Sequence, residues 1–222
     1  MKTQIRFTAI TLMILAASVY FYGCTKSGKE QISGSGSKDQ IAATNEGKKY
    51  NIQPSEYKLD WKAKKATGQH NGVIDISKGL LYADNGKLTG GEFDIDFNSI
   101  KVLDVEDAEM NMKLTNHLKS DDFFSAGKFP TGKFVIKSLA PLSNGTQNNY
   151  TITGTLTIKG ISNDITFPAS VKVSNEGVTA SADINLDRTQ WDIKYRSSKF
   201  FENLGDKLIS DEFTVKFNIT AK

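Results

Sequence analysis

The 222-residue sequence has one cysteine, two histidines, four prolines and two tryptophans. A lone cysteine cannot form an internal disulfide, and two histidines without a cysteine cluster cannot build the usual structural zinc sites. Charge of either sign is scarcely in excess: 28 Lys and Arg against 25 Asp and Glu leave a formal +3. That argues against nucleic-acid binding, which normally requires a strongly basic face. There is no G-x-S-x-G elbow, no Gly-rich phosphate loop and no Ser/His/Asp arrangement, so neither an enzyme nor a cofactor binder is expected. What is present is a hydrophobic fraction of 38% with 13 Phe, 7 Tyr and 2 Trp, too rich for a disordered chain. The 18 glycines suit a turn-rich β protein better than a helical bundle.

The N-terminus explains the cysteine. Lys2 and Arg6 precede an uncharged apolar stretch from Phe7 to Tyr22. It is shorter than the roughly 20 residues of a spanning helix, which favours a cleaved export signal over residues 1–23. The stretch ends in Phe21-Tyr22-Gly23-Cys24, which resembles a loose bacterial lipobox, with Phe21 and Tyr22 where Leu and a small residue usually stand. Acylated Cys24 would anchor the chain to a membrane of the bacterial envelope, leaving the domain in the periplasm or at the cell surface. Residues 24–55 contain Ser33-Gly34-Ser35-Gly36-Ser37 and lack Leu, Val, Phe and Met, so they read as a flexible tether.

From Glu56 to Lys222 the hydrophobic period is two. Leu59 and Trp61 alternate with polar residues, as do Phe93, Ile95 and Phe97. The run 150–158 places Ile152, Leu156 and Ile158 on one face, with Gly154 the single exception in phase. Ile184 and Leu186, then Phe213, Val215 and Phe217, repeat the pattern. Strands with one apolar and one polar face are characteristic of antiparallel sheets. Asp84-Asn85-Gly86, Asn144-Gly145 and Asn175-Glu176-Gly177 mark hairpin turns. About eight or nine strands are expected, as in a barrel or sandwich. Between them, Met110, Leu114 and Leu118 have helical spacing after Asp104, a suitable N-cap, which predicts one amphipathic helix within 103–120.

Several stretches now resemble one family. His117-Leu118-Lys119-Ser120-Asp121-Asp122-Phe123-Phe124, followed by Phe129-Pro130-Thr131 and Phe134, is similar to the central motif of YceI-like proteins. Tyr150 to Ile161, Ile165-Thr166-Phe167-Pro168, Asp187-Arg188-Thr189-Gln190-Trp191 and Ile209-Ser210-Asp211-Glu212-Phe213 continue the resemblance in order. It implies a YceI-like domain over 56–222: an all-β, lipocalin-like antiparallel barrel of about eight strands with one short helix. It also implies a lumen holding an isoprenoid-type lipid, such as a polyprenyl or quinone tail.

Candidate lumen residues are the thirteen in-phase side chains named above: Leu59, Trp61, Phe93, Ile95, Phe97, Ile152, Leu156, Ile158, Ile184, Leu186, Phe213, Val215 and Phe217. Periodicity fixes their phase, but it suits a packed core as well as a lined channel. His117, Phe123, Phe124 and Trp191 are candidates for the mouth or its loops, while His70 reads as a loop residue. Asp121-Asp122 and Asp211-Glu212 lack the ligand spacing of a calcium loop, so no metal is expected. A homodimer through an edge strand or an aromatic mouth is open. The rival to a lipid lumen is a glycan-binding surface lipoprotein, which would need Trp61, Phe93 and Trp191 exposed together on one flat face.

Overall fold

A computed structural model describes residues 40–142 and 147–222, the side chains of 54–58 excepted. The signal, Cys24 and the Asn144-Gly145 turn lie outside the described residues. The strands are β1 (Ile41–Ala42), β2 (Lys48–Lys65), β3 (Gly68–Asp84), β4 (Lys87–Val102), β5 (Thr131–Pro141), β6 (Tyr150–Ile158), β7 (Ile161–Val173), β8 (Val178–Asp187) and β9 (Ile209–Ala221). One helix, α1 (Ala108–Lys119), lies between β4 and β5. Neighbours pair in the order β5-β4-β3-β2-β9-β8-β7-β6, and β6 returns to β5, so eight antiparallel strands close a barrel.

Turn chemistry sets the hairpins. Asn85 and Gly86 both have positive φ (49° and 75°) between paired Asp84 and Lys87, the two-residue turn whose twist matches the flanking strands. Lys159 and Gly160 repeat this between β6 and β7. Burial alternates strictly along β6 and β8, as the sequence period predicts.

Within 40–55, Ile41–Ala42 and the residues from Lys48 onward are strand, and the residues between them hydrogen-bond to the sheet, so this stretch is not a tether. Ala43 N donates to Lys137 O at 2.8 Å and Thr44 N to Thr89 O at 3.1 Å, so the segment fills the gap where β4 and β5 have stopped pairing. Backbone bonds hold it, which is why no apolar pattern announced it. The barrel's first long strand begins at Lys48, ahead of the expected Glu56, and it buries Tyr50 and Ile52.

The helix also starts later than expected. Its N-cap is Asp107, whose carboxylate accepts from Met110 N at 2.8 Å. Asp104 is engaged elsewhere, accepting from Asn71 N at 2.9 Å and lying 2.8 Å from His70 Nδ1. His70 is accordingly a β3 residue, not a loop residue. No α1 side chain is fully buried, so the helix rests against one end of the barrel.

A second gap opens between β7 and β8. They pair only over Ser170–Val173 and Val178–Ser181, while β8 continues along β9 to Asp187. The 3-10 turn Arg188–Trp191 closes this gap. Asn163 Nδ2 donates to Gln190 O at 2.9 Å, and the fully buried Trp191 donates from Nε1 to Leu156 O at 3.0 Å.

Gly154 interrupts the alternation of β6 for a packing reason. A Cβ there would stand 2.3 Å from the Phe134 ring and 2.7 Å from Val135 O, so the missing side chain is the space Phe134 occupies. Gly154→Val should destabilise by about 1–3 kcal/mol through overpacking. Gly127→Ala, where nothing lies within 4 Å, should leave the thermal midpoint nearly unchanged. Thermal denaturation by circular dichroism checks both, and equal midpoints would refute the packing role of Gly154.

Candidate functional site

The barrel interior divides into a packed half and a hollow half. Around the β3–β4 hairpin end, Tyr50, Ile52, Leu81, Leu88, Ile136, Leu139, Ile152, Ala169, Val171, Val178, Ile219 and Ala221 form a filled core. Towards α1 lies a cavity of about 140 Å³. That is on the order of an engineered apolar cavity that stays dry and takes up benzene. Its boundary is aromatic. On β4, β5, β7 and β9 the last inward residues to reach the cavity are Phe93, Phe134, Phe167 and Phe217. Successive centroids in this row are 5.2, 5.8 and 6.1 Å apart, tilted or edge-on, as aromatic rings prefer.

Twelve of the thirteen lumen candidates line this cavity: Leu59, Trp61, Phe93, Ile95, Phe97, Leu156, Ile158, Ile184, Leu186, Phe213, Val215 and Phe217. Ile152 does not. It has the right phase but lies beyond the aromatic row, opposite Leu139 and Phe167, and is packed core. Trp61, Phe93, Ile95, Phe213 and Val215 are only partly buried although they face inward, as befits a wall rather than a filled core. Sequence reasoning missed Ala63, Ile74, Ile100, Phe134, Ile165, Phe167, Ile193 and Ile209 as lining residues. The period of two carried a signal for Phe134, Ile165 and Phe167. For Ile193, in an irregular segment, there was none.

The loop after α1 directs two rings towards the barrel. Phe124 N donates to Leu118 O and Ser125 N to Ser120 O, with Ser125 at φ 49°, and this tight reversal brings Phe123 and Phe124 to the cavity wall. Phe124 stacks on Phe97 at 4.7 Å. His117 does not line the cavity. It bonds Asp122 at 2.8 Å and packs edge-on against Phe123 (5.0 Å) and Tyr195 (4.7 Å), so it joins the helix to the β8–β9 segment. Trp191 is not a mouth residue either, because it is fully buried and does not reach the cavity. With Trp191 inside and Trp61 and Phe93 in the cavity wall, the flat aromatic face of a glycan platform is absent among the described residues.

Arg188 and Ser210 are the polar lining residues. The Arg188 guanidinium donates to Ser210 O (3.0 Å), Ile193 O (3.0 Å) and Ile209 O (3.1 Å) and lies 3.4 Å from Asp211 Oδ1. Burial lowers its affinity for the proton, while Asp211 and Asp187 oppose that shift. Asp211, on β9, is therefore a nearly buried partner of Arg188. No cluster of three metal-ligating side chains occurs among the described residues.

A closed lipocalin-like barrel with an apolar cavity inside it defines the class. The chain belongs to the YceI-like domain family, whose model matches residues 50–221. A UPF0312 protein of Shewanella denitrificans is 30% identical over 128 residues, which span 53% of this chain and 63% of that protein. Among solved structures, Burkholderia cenocepacia BcnA superposes with a TM-score of 0.60 at 21% identity, covering 77% of this chain and 99% of its own. A polyisoprenoid-binding domain from Saccharophagus degradans gives 0.58 at 11% identity, covering 78% and 97%. At these identities the two structures share the fold.

Arg188→Met removes the donor from three carbonyls, that of Ile193 fully buried, and the cation from Asp211, and should cost about 3–5 kcal/mol, measured by urea unfolding. Burial works to raise the Asp187 carboxyl, but the Lys199 ammonium and the Thr189 donors outweigh it and hold it below its ordinary value. A carboxyl depressed in the native state stabilises above its unfolded value of about 3.9 and loses that contribution as pH falls below it. The thermal midpoint should drop between pH 5 and pH 3, and Asp187→Asn should show a smaller drop. An equal drop in the variant would rule out a contribution from this carboxylate.

Proposed function

We propose that this protein binds a hydrophobic, isoprenoid-type lipid in the barrel cavity, without catalysis, and sequesters or carries it across an aqueous compartment of the bacterial envelope. The observation that carries this reading is the wall. Apart from Arg188 and Ser210 it is hydrocarbon, and eight of the chain's 13 Phe contribute to it. Each buried CH₂ of a ligand contributes about 0.8 kcal/mol before association costs, so a slender branched chain gains most by filling such a space. The cavity suits the end of such a chain. The polyisoprenoid-binding description of the Saccharophagus domain supports the same ligand class.

In this reading Cys24 carries the lipid anchor. Cys24→Ser should move the protein from the detergent phase to the aqueous phase on phase partitioning.

The ligand reading is tested by native mass spectrometry of protein purified from its own host, with solvent extraction of whatever is bound. A mass adduct that extracts as a polyprenyl or quinone-type lipid is expected. Ala63→Phe, which adds a ring to the wall, should reduce retention at least tenfold at an unchanged fold. A barrel that purifies empty and ignores added isoprenoids would sink the proposal.

A further inference from the structure

Among the described residues, the exposed large hydrophobic side chains gather at one end of the barrel. Of eight, only Ile41 lies away from the hollow end, where α1, the β6–β7 turn and the long β8–β9 connection are. The charges of that end divide. Residues 103–130, which carry α1 with exposed Met110 and Met112, have six carboxylates against three lysines. The other side joins the β2–β3 turn, the β6–β7 turn and residues 187–208. Ala66 N donates to Leu208 O at 2.9 Å, Ile209 N to Arg196 O at 3.0 Å and Lys159 Nζ to Asp192 O at 2.9 Å, which makes these segments one surface. Leaving out the buried Arg188, residues 64–67, 159–160 and 187–208 hold seven cations and four carboxylates. Phe200 and Phe201 stand on this surface, 47% and 49% exposed, with Lys194 Nζ 5.1 Å from the Phe200 ring centre. Phe129 edges it, since a Cβ on Gly160 would lie 3.2 Å from the Phe129 ring.

We propose that this basic, phenylalanine-bearing surface docks the barrel on a bilayer that carries anionic lipid, with Phe200 and Phe201 among the headgroups. This rests on the reading of the barrel as a lipid carrier, which must meet a bilayer to load and unload. Aromatic rings favour the membrane–water interface, and cations beside them are drawn to anionic headgroups. The same headgroups repel the acidic α1 side, so the division of charge orients the barrel. Ile193 and Ile209, on either side of the Phe pair in sequence, line the cavity, so docking here sets the hollow end against the source of the ligand.

Phe201→Trp in the full chain reports the contact. Brominated acyl chains quench an indole that enters the interface, and the unsubstituted chain supplies the background of Trp61 and Trp191. The vesicles are brominated phosphatidylcholine with or without phosphatidylglycerol. Any attachment through the N-terminus is common to both, so the difference between them reads the docking surface alone. Phe201→Trp should be quenched about twofold or more strongly on the anionic vesicles. High salt should remove that excess. So should Lys65→Glu combined with Lys207→Glu, two exposed lysines without an ion pair among the described residues. Met112→Trp, on the acidic side, should stay near background. Equal quenching on the two vesicles, no quenching beyond background, or Met112→Trp quenched as strongly as Phe201→Trp would each overturn the docking surface. None of these results touches the bound lipid, which mass spectrometry reads separately; a barrel that docks but purifies empty and ignores added isoprenoids would overturn the carrier reading alone.

Discussion

The hollow half of this barrel depends on one buried guanidinium. At the α1 end β8 has separated from β7, and the chain must travel from Asp187 to Ile209 without a strand to pair with. Backbone carbonyls left unpaired near a cavity would be costly. Arg188 accepts that task by donating to Ile193, Ile209 and Ser210, so one side chain ties the end of β8, the connecting segment and the start of β9 together. Its planar fork suits several fixed carbonyls at once, which a lysine could not match. With the head committed to the backbone and to Asp211, what Arg188 adds to the cavity is chiefly hydrocarbon stem.

This closure explains how an apolar cavity persists beside a packed core. Trp191 and Ile193 are buried alongside Arg188 and seal the β7–β8 gap, while Phe123 and Phe124 cover the side nearest α1. Across the barrel, rings are accommodated by glycines: Gly154 gives way to Phe134 and Gly72 to Trp61. Large and absent side chains alternate on the inner surface, so the aromatic row is seated in the sheet and forms a floor instead of collapsing into the hollow.

The sequence made the phase of the strands legible, because burial on one face imposes a period of two. Phase is not depth. Ile152 and Leu156 share a face of β6, yet one is beneath the floor and the other in the wall, and nothing in the alternation separates them. Irregular segments were less legible. Trp191 follows a strand and could be read as exposed, but a 3-10 turn capped by Asp187 carries it inward. The helix start was misplaced by three residues because Asp104 and Asp107 are equally good caps. Only the tertiary pairing of Asp104 with β3 decides between them. The ordering of 41–44 rests on main-chain bonds to β4 and β5, which leave no signature in side-chain chemistry.

A cavity of about 140 Å³ carries a cost. At about 24 cal/mol per Å³ the empty volume forfeits about 3 kcal/mol of packing, a sizeable share of the 5–15 kcal/mol that holds an ordinary domain together. Such a defect is tolerable because the other half of the barrel is filled, with Ala169, Val178 and Ala221 wholly inaccessible. The division of labour follows from that arithmetic. The filled half supplies the stability, and the hollow half remains under-packed, so any apolar molecule that enters recovers contacts the protein alone cannot make. Binding and stability are then linked, since whatever occupies the cavity favours the folded barrel over the open chain.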